Sequence, residues 1–190
     1  MNDFEVIAAT LNRPGSVVVM ASDTVYGLMA RAEDVEATTR LYGLKDRHSK
    51  PGTLIGLNID QLSELGLKRR YLKAVEQYWP GPVSVIIPTG STSLDYLSQG
   101  LKDLAVRVPD DPLLVSVLAL SGPLITTSAN LPGQPPAVDI NQARRYFGGK
   151  VDAYFDSGDR SGRQPSTVIR IVDDAVEIIR QGAVKIPGTD

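Results

Sequence analysis

The chain has no cysteine, and its 190 residues include a single histidine, His48. The lack of cysteine excludes disulfides, thiolate-bound metals and a thiol nucleophile, and fits an intracellular protein that needs no oxidative cross-links. A zinc site with several imidazole ligands is excluded too, because one imidazole is present. A Ser-His-Asp arrangement would have to use His48, which lies in a basic, loop-like segment.

Long apolar runs and a net positive charge are also missing. The chain contains no run of about eighteen apolar residues, and its N-terminus begins acidic and amphipathic, unlike a signal peptide. We therefore expect a cytoplasmic protein without a membrane segment. The net charge of -2 lacks the positive excess by which nucleic-acid-binding domains neutralise phosphates. Any contact with nucleic acid is expected to be local.

Short β-branched runs alternate with amphipathic stretches, which predicts an α/β fold. The predicted strands cover residues 16–21, 53–57, 83–89, 104–108, 123–128, 152–156, 166–172 and 175–181. The predicted helices cover residues 3–11, 34–43, 59–79 in two pieces, 111–120 and 139–147. Few residues separate the last two strands, so we expect an antiparallel hairpin within a mixed sheet. No repeat or composition break divides residues 1–190, which predicts a single domain.

Four polar segments lie at predicted strand ends, where open α/β sheets usually bind ligands. They are residues 21–28 (ASDTVYGL), 44–52 (LKDRHSKPG), 125–136 (ITTSANLPGQPP) and 163–170 (RQPSTVIR). The first segment offers the hydroxyls of Ser22 and Thr24 on either side of a carboxylate. A strand-to-loop turn capped by small polar residues would explain the same pattern.

The second segment is strongly basic. Lys45 and Arg47 are two residues apart, so in an extended loop both side chains would project to one side and could bind one polyphosphate. The alternative is a solvated basic helix end, because cations are favoured at helix C-termini.

The other two segments add hydroxyls, an amide and nearby arginines. Ser128 and Asn130 follow a buried-looking strand, and alternation points both side chains the same way. An Asn-stabilised turn is the alternative. Ser166 opens a later strand, while Arg107 and Arg180 lie inside apolar strands. A half-buried guanidinium needs either an anionic ligand or an acidic partner within the protein.

This inventory favours one kind of catalysis. Acid–base and covalent chemistry are poorly supplied, whereas lysine, arginine, serine, threonine and asparagine suit the binding of a nucleotide and the neutralisation of charge at phosphorus. Neither GxxxxGK[ST] nor GxGxxG occurs, so the common phosphate-binding fingerprints are absent. We expect nucleotidyl transfer rather than hydrolysis, with a rate that depends on positioning.

Seven short motifs occur in a characteristic order. They are ASDTVYGL (21–28), KDRH (45–48), WPGP (79–82), AVRVP (105–109), SAN (128–130), STVI (166–169) and RQG (180–182). From Ser16 to Pro187 the chain thereby resembles the YrdC family, the threonylcarbamoyl-adenylate synthases. It departs from the family pattern at Ala21 and Ser22, which replace Pro-Thr, and at His48, which replaces proline. Lys50 comes three residues after Arg47 instead of four, so the roles of His48 and Lys50 stay open.

The resemblance implies a fold and a reaction. It implies one YrdC-like domain, with a twisted mixed sheet flanked by helices and a concave ligand-binding face. Such enzymes join L-threonine, bicarbonate and ATP into threonylcarbamoyl-adenylate and release pyrophosphate, and the product serves the modification of tRNA adenosine. Magnesium would be held by phosphate oxygens, without metal ligands from the protein. Expected partners are the substrates, tRNA and the downstream threonylcarbamoyl transferase proteins.

The resemblance also implies roles for residues. Lys45 and Arg47 would be catalytic and bind ATP. The ATP-binding set would be Lys45, Arg47, Ser128, Asn130 and Arg180. The threonine-binding set would be Ser22, Thr24, Arg107 and Ser166.

Two other functions are kept as alternatives. A non-catalytic module for double-stranded RNA could use the concave face, although the acidic pI disfavours it. A carbamoyl-adenylate-forming domain, as in hydrogenase-maturation carbamoyltransferases, would keep the adenylation chemistry and change the acyl group.

Overall fold

The computed structural model describes residues 2–46, 49–173 and 175–187. The helices are α1 (Asp3–Leu11), α2 (Val35–Leu44), α3 (Ile59–Glu64), α4 (Arg69–Val75), α5 (Asp95–Ser98), α6 (Pro112–Ser121) and α7 (Ile140–Phe147). The strands are β1 (Val18–Ala21), β2 (Tyr26–Arg31), β3 (Thr53–Ile55), β4 (Val83–Pro88), β5 (Asp103–Arg107), β6 (Leu124–Ser128), β7 (Ala153–Tyr154), β8 (Thr167–Val172) and β9 (Ala175–Arg180). Short 3₁₀ turns cover Glu76–Tyr78, Thr92–Leu94 and Gly148–Lys150.

The strands form one nine-stranded sheet in the order β7-β1-β2-β6-β3-β5-β4-β8-β9. The pairs β1–β7, β3–β5 and β4–β8 are parallel, and the other neighbours are antiparallel. Strands β8 and β9 form the expected hairpin. The predicted α/β class, with a mixed sheet flanked by helices, is confirmed.

Two elements differ from the prediction. Strand β2 lies partly within segment 21–28, which the sequence pattern assigns to a loop, and it pairs with β1 and β6. Gly27 weakens the strand signal, yet a Cβ there would lie 2.8 Å from Oγ1 of Thr126, so the pairing with β6 leaves no room for a side chain. Helix α5 is only four residues long, too short to show a helical period.

Helix α6 lies within one residue of its predicted range of 111–120, and local signals account for both ends. Asp111 caps it by accepting a hydrogen bond from the amide of Leu114 at 2.8 Å, and Pro112 occupies the first turn. Gly122, with φ of 78°, ends it in a conformation that favours glycine. These signals fix the helix between β5 and β6.

Helices cover the two faces of the sheet unequally. Alternate strand residues separate into two cores, with Leu54 in the larger core beside α2, α3, α4, α5 and α7, and Ile55 in the smaller core beside α1 and α6. The smaller core takes its strand residues from β1, β2, β3 and β6. On the face of the smaller core, α1 and α6 therefore cover β1, β2, β3 and β6. They leave β4, β5 and β8 uncovered on that face, where a site can form.

Candidate active site

A cavity of about 310 Å³ lies over the part of the sheet that α1 and α6 leave uncovered. Alternate residues of three strands line it, namely Asp103, Ala105 and Arg107 of β5, Ile86 of β4, and Val168 and Arg170 of β8. The turn between β1 and β2 and the end of β6 provide further lining residues. The volume is in the range of small-molecule sites in proteins.

The cavity brings together residues that the sequence analysis took from different segments. Those that line it are Ser22, Thr24, Arg107, Ser128, Ser166 and Arg180. Lys45 and Asn130 lie next to it, because both are hydrogen-bonded to Ser128. Arg47 and His48 lie outside the described residues. The roles assigned to all these side chains remain predictions.

Lys45 is buried at the end of α2. Its side chain is 3% exposed, and its Nζ donates to the carbonyl oxygen of Ser128 at 2.8 Å, to Oδ1 of Asn130 at 2.7 Å and to the carbonyl oxygen of Asn130. The solvated helix end is therefore wrong for Lys45. The expected extended loop is wrong here too. The backbone of Lys45, directly after α2, lies in the right-handed helical region (φ -99°, ψ -3°), and that of Asp46 lies in the left-handed region with φ of 46°.

The side chain of Asn130 organises the loop that follows β6. Its Oδ1 accepts from Oγ of Ser128 at 2.6 Å as well as from Lys45, and its Nδ2 donates to the carbonyl oxygens of Leu131 at 3.1 Å and Gln134 at 2.8 Å. The Asn-stabilised turn is thus present. The same amide group also joins the end of α2 to the rim of the cavity.

Arg107 is buried, with 3% of its side chain exposed, and forms an ion pair with Oδ1 of Asp23. The other carboxylate oxygen of Asp23 accepts from the amide of Asp110 at 3.3 Å. Nε of Arg107 has no hydrogen-bond partner in the described part of the chain. The acidic partner within the protein is therefore present, and it leaves the buried Nε of Arg107 without an acceptor among the described residues.

The turn between β1 and β2 (residues 22–25) carries two buried hydroxyls. Oγ of Ser22 and Oγ1 of Thr24 are 2.8 Å apart, and Oγ of Ser22 accepts from the amide of Thr24 at 3.2 Å. The turn capped by small polar residues is confirmed. Because both residues also line the cavity, this local role leaves them positioned to meet a ligand.

Ser166 and Arg180 meet at the edge of the cavity. Oγ of Ser166 lies 2.8 Å from Oγ of Ser84, and Nη2 of Arg180 donates to the carbonyl oxygen of Ser166 at 2.8 Å. The expectation of a half-buried Arg180 is wrong, because β9 is an edge strand and Arg180 is exposed. Arg180 nevertheless lines the cavity.

Sequence reasoning missed Asp103 and Arg170, which line the cavity and form an ion pair of 2.8 Å. The signal was available in the alternation of residues along β5 and β8, because every second residue of a strand faces the same side. Among the described residues, the charged side chains that line the cavity are three arginines, Arg107, Arg170 and Arg180, and one carboxylate, that of Asp103. The site is therefore positively charged within an acidic chain, which suits an anionic ligand.

Tyr26 joins β2, beside the cavity, to the loop at residues 156–158. Its hydroxyl lies 2.9 Å from the carbonyl oxygen of Gly158 and accepts from the amide of Ser157 at 2.8 Å. Burial is the main factor that raises the pKa of Tyr26, so the phenol stays protonated at neutral pH. Its role is to hold the loop at residues 156–158 against β2.

The family motif WPGP (79–82) supports the strand that carries Arg107. The indole Nε1 of Trp79 donates to the carbonyl oxygen of Val83 at 2.9 Å, and the amide of Gly81 donates to that of Val108 at 2.9 Å. The motif thus joins the start of β4 to the segment that follows β5. None of its four residues is among those that line the cavity, and its contacts give it a structural role beside the site.

Among residues 2–46, 49–173 and 175–187, no helix is both long and apolar enough to span a bilayer. That part of the chain also holds no cluster of three or more His, Cys, Asp or Glu side chains placed to bind a metal ion.

Comparison with known proteins gives a consistent result. The Sua5/YciO/YrdC family model, described as "Telomere recombination", matches residues 10–182. The threonylcarbamoyl-AMP synthase of Cellvibrio japonicus is 35% identical over 153 residues, covering 77% of this chain and 79% of that protein.

Solved structures share the fold. The structure of Pyrococcus abyssi Sua5 complexed with L-threonine has a TM-score of 0.82 and 27% identity, over 94% of this chain. The chain spans about half of that protein, since the match covers 54% of it. The structure of E. coli YciO has a TM-score of 0.81 and 25% identity, over 98% of this chain and 94% of that one. With these matches and its matching site motifs, the chain belongs to the Sua5/YciO/YrdC family.

Proposed function

We propose that the protein is a nucleotidyltransferase that makes L-threonylcarbamoyladenylate from L-threonine, bicarbonate and ATP and releases pyrophosphate. The observation that supports this most is the gathering of six predicted ligand-binding residues, from five separate stretches of the chain, around one positively charged cavity. The relative from Cellvibrio japonicus carries the name of this activity, and Pyrococcus abyssi Sua5 was solved with threonine. We further propose that residues 1–190 form one YrdC-like domain.

The proposed site has two halves. Arg107, which lines the cavity, would bind the α-carboxylate of threonine, and the hydroxyls of Ser22, Thr24 and Ser166 would hold its polar groups. Ser128 and Arg180 would face the ATP phosphates together with Arg47. Lys45 and Asn130 would hold Ser128 in place, and Lys45 would add positive charge behind the phosphates.

The reaction would proceed in two steps. The neutral amine of threonine attacks the carbon of bicarbonate, and loss of water leaves a carbamate. A carbamate oxygen then attacks the α-phosphorus of ATP, the bond to the β-phosphate oxygen breaks, and pyrophosphate leaves. Arginine side chains offset the charge that grows on the phosphates, so positioning and electrostatics carry the rate.

We propose that Mg²⁺ enters bound to ATP. The carboxylate that lines the described cavity, that of Asp103, is paired with Arg170, which fits an ion held mainly by phosphate oxygens. The ion would neutralise charge on the pyrophosphate leaving group.

The product would pass to the proteins that transfer the threonylcarbamoyl group to tRNA adenosine, and we place these proteins and tRNA among the proposed partners. The charge of the cavity also fits the two alternatives, double-stranded RNA binding and formation of a carbamoyl-adenylate. Salt-dependent affinity for duplex RNA without ATP turnover would favour the first. Pyrophosphate release with carbamoyl phosphate in place of threonine would favour the second.

The test is a pyrophosphate-release assay with ATP, Mg²⁺ and bicarbonate, with and without L-threonine. We expect release that depends on both threonine and bicarbonate. Release that ignores threonine, or none from the folded protein, would refute the proposal. D-threonine is the matched control, because an arginine and a set of fixed hydroxyls should select one configuration at Cα.

A further inference from the structure

Asp23 joins two parts of the cavity that are separated in the sheet. It belongs to the turn that links β1 and β2, whereas its partner Arg107 ends β5, and β6 and β3 lie between β2 and β5. Its second carboxylate oxygen accepts from the amide of Asp110, and its backbone carbonyl accepts from Nη1 of Arg163 at 3.1 Å. These contacts attach the turn to the far side of the cavity.

The neighbours of Asp23 face the cavity, and Asp23 itself lies behind it. Ser22, Thr24 and Arg107 line the cavity, while Asp23 lines the adjoining groove with Arg163. The carboxylate of Asp23 is 8% exposed and Arg107 is 3% exposed, so solvent does little to screen this pair. Asp23 therefore acts on residues that would touch the ligand.

The geometry of Arg107 depends on this carboxylate. A buried guanidinium is destabilising unless a carboxylate offsets its desolvation, and its planar donors fix the direction of each hydrogen bond. Asp23 takes one donor nitrogen, and Nε of Arg107 is left without an acceptor among the described residues. The same contact fixes the orientation of the guanidinium and the position of the turn that carries the two hydroxyls.

We infer that Asp23 is a positioning residue for the amino-acid half of the site. Its carboxylate holds the guanidinium of Arg107 and the hydroxyls of Ser22 and Thr24 in one arrangement, so that both meet the same amino acid. This inference rests on the proposed function. It predicts that loss of Asp23 impairs the recognition of threonine far more than that of ATP.

The experiment compares Asp23→Ala and Asp23→Asn with the wild type. Asp23→Ala removes the hydrogen bond and the charge, whereas Asp23→Asn keeps the shape and the accepting oxygen. We expect Asp23→Ala to raise the KM for threonine roughly 10- to 100-fold, as for the loss of a charged hydrogen bond, with a smaller rise in Asp23→Asn. The KM for ATP should stay within about threefold, a split that general unfolding would not produce.

Asp110→Asn is the matched control, because it removes an exposed carboxylate beside Asp23 and keeps the backbone amide. An unchanged or lower threonine KM in Asp23→Ala, or equal rises for threonine and ATP, would overturn the inference. If Asp23→Ala does not fold, Asp23→Asn decides by the same split. Calorimetric measurement of threonine binding to the wild type and to each variant distinguishes failure of the Asp23 inference from failure of the proposed function. A wild type that binds no threonine would refute the proposed function instead.

Discussion

Nζ of Lys45 lies 2.8 Å from the carbonyl oxygen of Ser128, although the two residues are 83 positions apart in the chain. This hydrogen bond joins the end of α2 to the end of β6. A lysine that the sequence alone leaves open to solvent is thereby part of the buried framework of the site.

Lys45→Met should therefore destabilise the protein as well as weaken ATP binding. The change removes the ammonium donor from three partly buried oxygens of Ser128 and Asn130, which should lower the free energy of unfolding by about 1–3 kcal/mol. Denaturant titration measures this loss. Lys102→Met, at an exposed lysine, should change the free energy of unfolding by less than about 0.5 kcal/mol. Equal stability of Lys45→Met and wild type would contradict the structural role.

Gly182→Ala should impair both stability and turnover. A Cβ at Gly182 would lie 2.5 Å from the carbonyl oxygen of Ser166 and would also meet that of Pro165, so the end of β9 must shift together with Arg180. Overpacking of this kind typically costs about 1–3 kcal/mol. Gly43→Ala is the control, because a Cβ there meets nothing within 4 Å and alanine favours the helix. Thermal melts and pyrophosphate release should separate the two variants, and a fully active Gly182→Ala would refute this account.

Asp152 should make stability depend on acid pH. Burial acts to raise its pKa, but hydrogen bonds from the amide of Val17 at 2.9 Å and from Arg40 at 2.5 Å outweigh it, so the pKa lies below its ordinary value. A lowered pKa gives stability that is present above the unfolded value of about 4 and is lost as pH falls through the folded value. Asp152→Asn should therefore be less stable than wild type at pH 7 and equal to it near pH 2.

Urea titrations of Asp152→Asn at several pH values measure this convergence. The matched variant Asp60→Asn breaks the more exposed ion pair with Arg69 and should change stability little at any pH. A stability gap between Asp152→Asn and wild type that persists unchanged into acid would show that the charge of Asp152 is not its cause.

Arg170→Gln should weaken substrate binding and leave the fold intact. The ion pair of Arg170 with Asp103 is partly exposed, so its loss should cost no more than about 1 kcal/mol. One of the cationic groups lining the cavity would vanish, and we expect the KM for ATP to rise, more steeply at low salt than at high salt. Steady-state kinetics at two salt concentrations test this. A salt-independent KM equal to that of wild type would remove Arg170 from the site.

Periodicity and capping signals predict much of the fold, as the bounds of α6 and the β8–β9 hairpin demonstrate. They fail at β2, where Gly27 breaks the strand pattern because the neighbouring strand comes too close for a side chain. That requirement comes from β6, about 100 residues later in the chain, and leaves no local trace.

The candidate site, like the fold, is partly predictable from local sequence and partly determined by contacts between distant segments. The residue types predict an anion site, and the motif order predicts which segments meet. The sequence does not predict the burial of these side chains. The environment of Lys45 depends on Ser128 and Asn130, and that of Arg107 depends on Asp23. An ion pair between segments so far apart in the chain has no spacing rule that would reveal it.

The most direct test of the central claim is detection of the product itself. The protein would be incubated with ATP, Mg²⁺, L-threonine and ¹³C-bicarbonate, and the mixture analysed by mass spectrometry. We predict an adenylate that contains threonine and carries the ¹³C label, and that is strongly reduced in Arg107→Gln. An adenylate without the label, or no threonine-containing adenylate from the folded wild type, would contradict the proposed reaction.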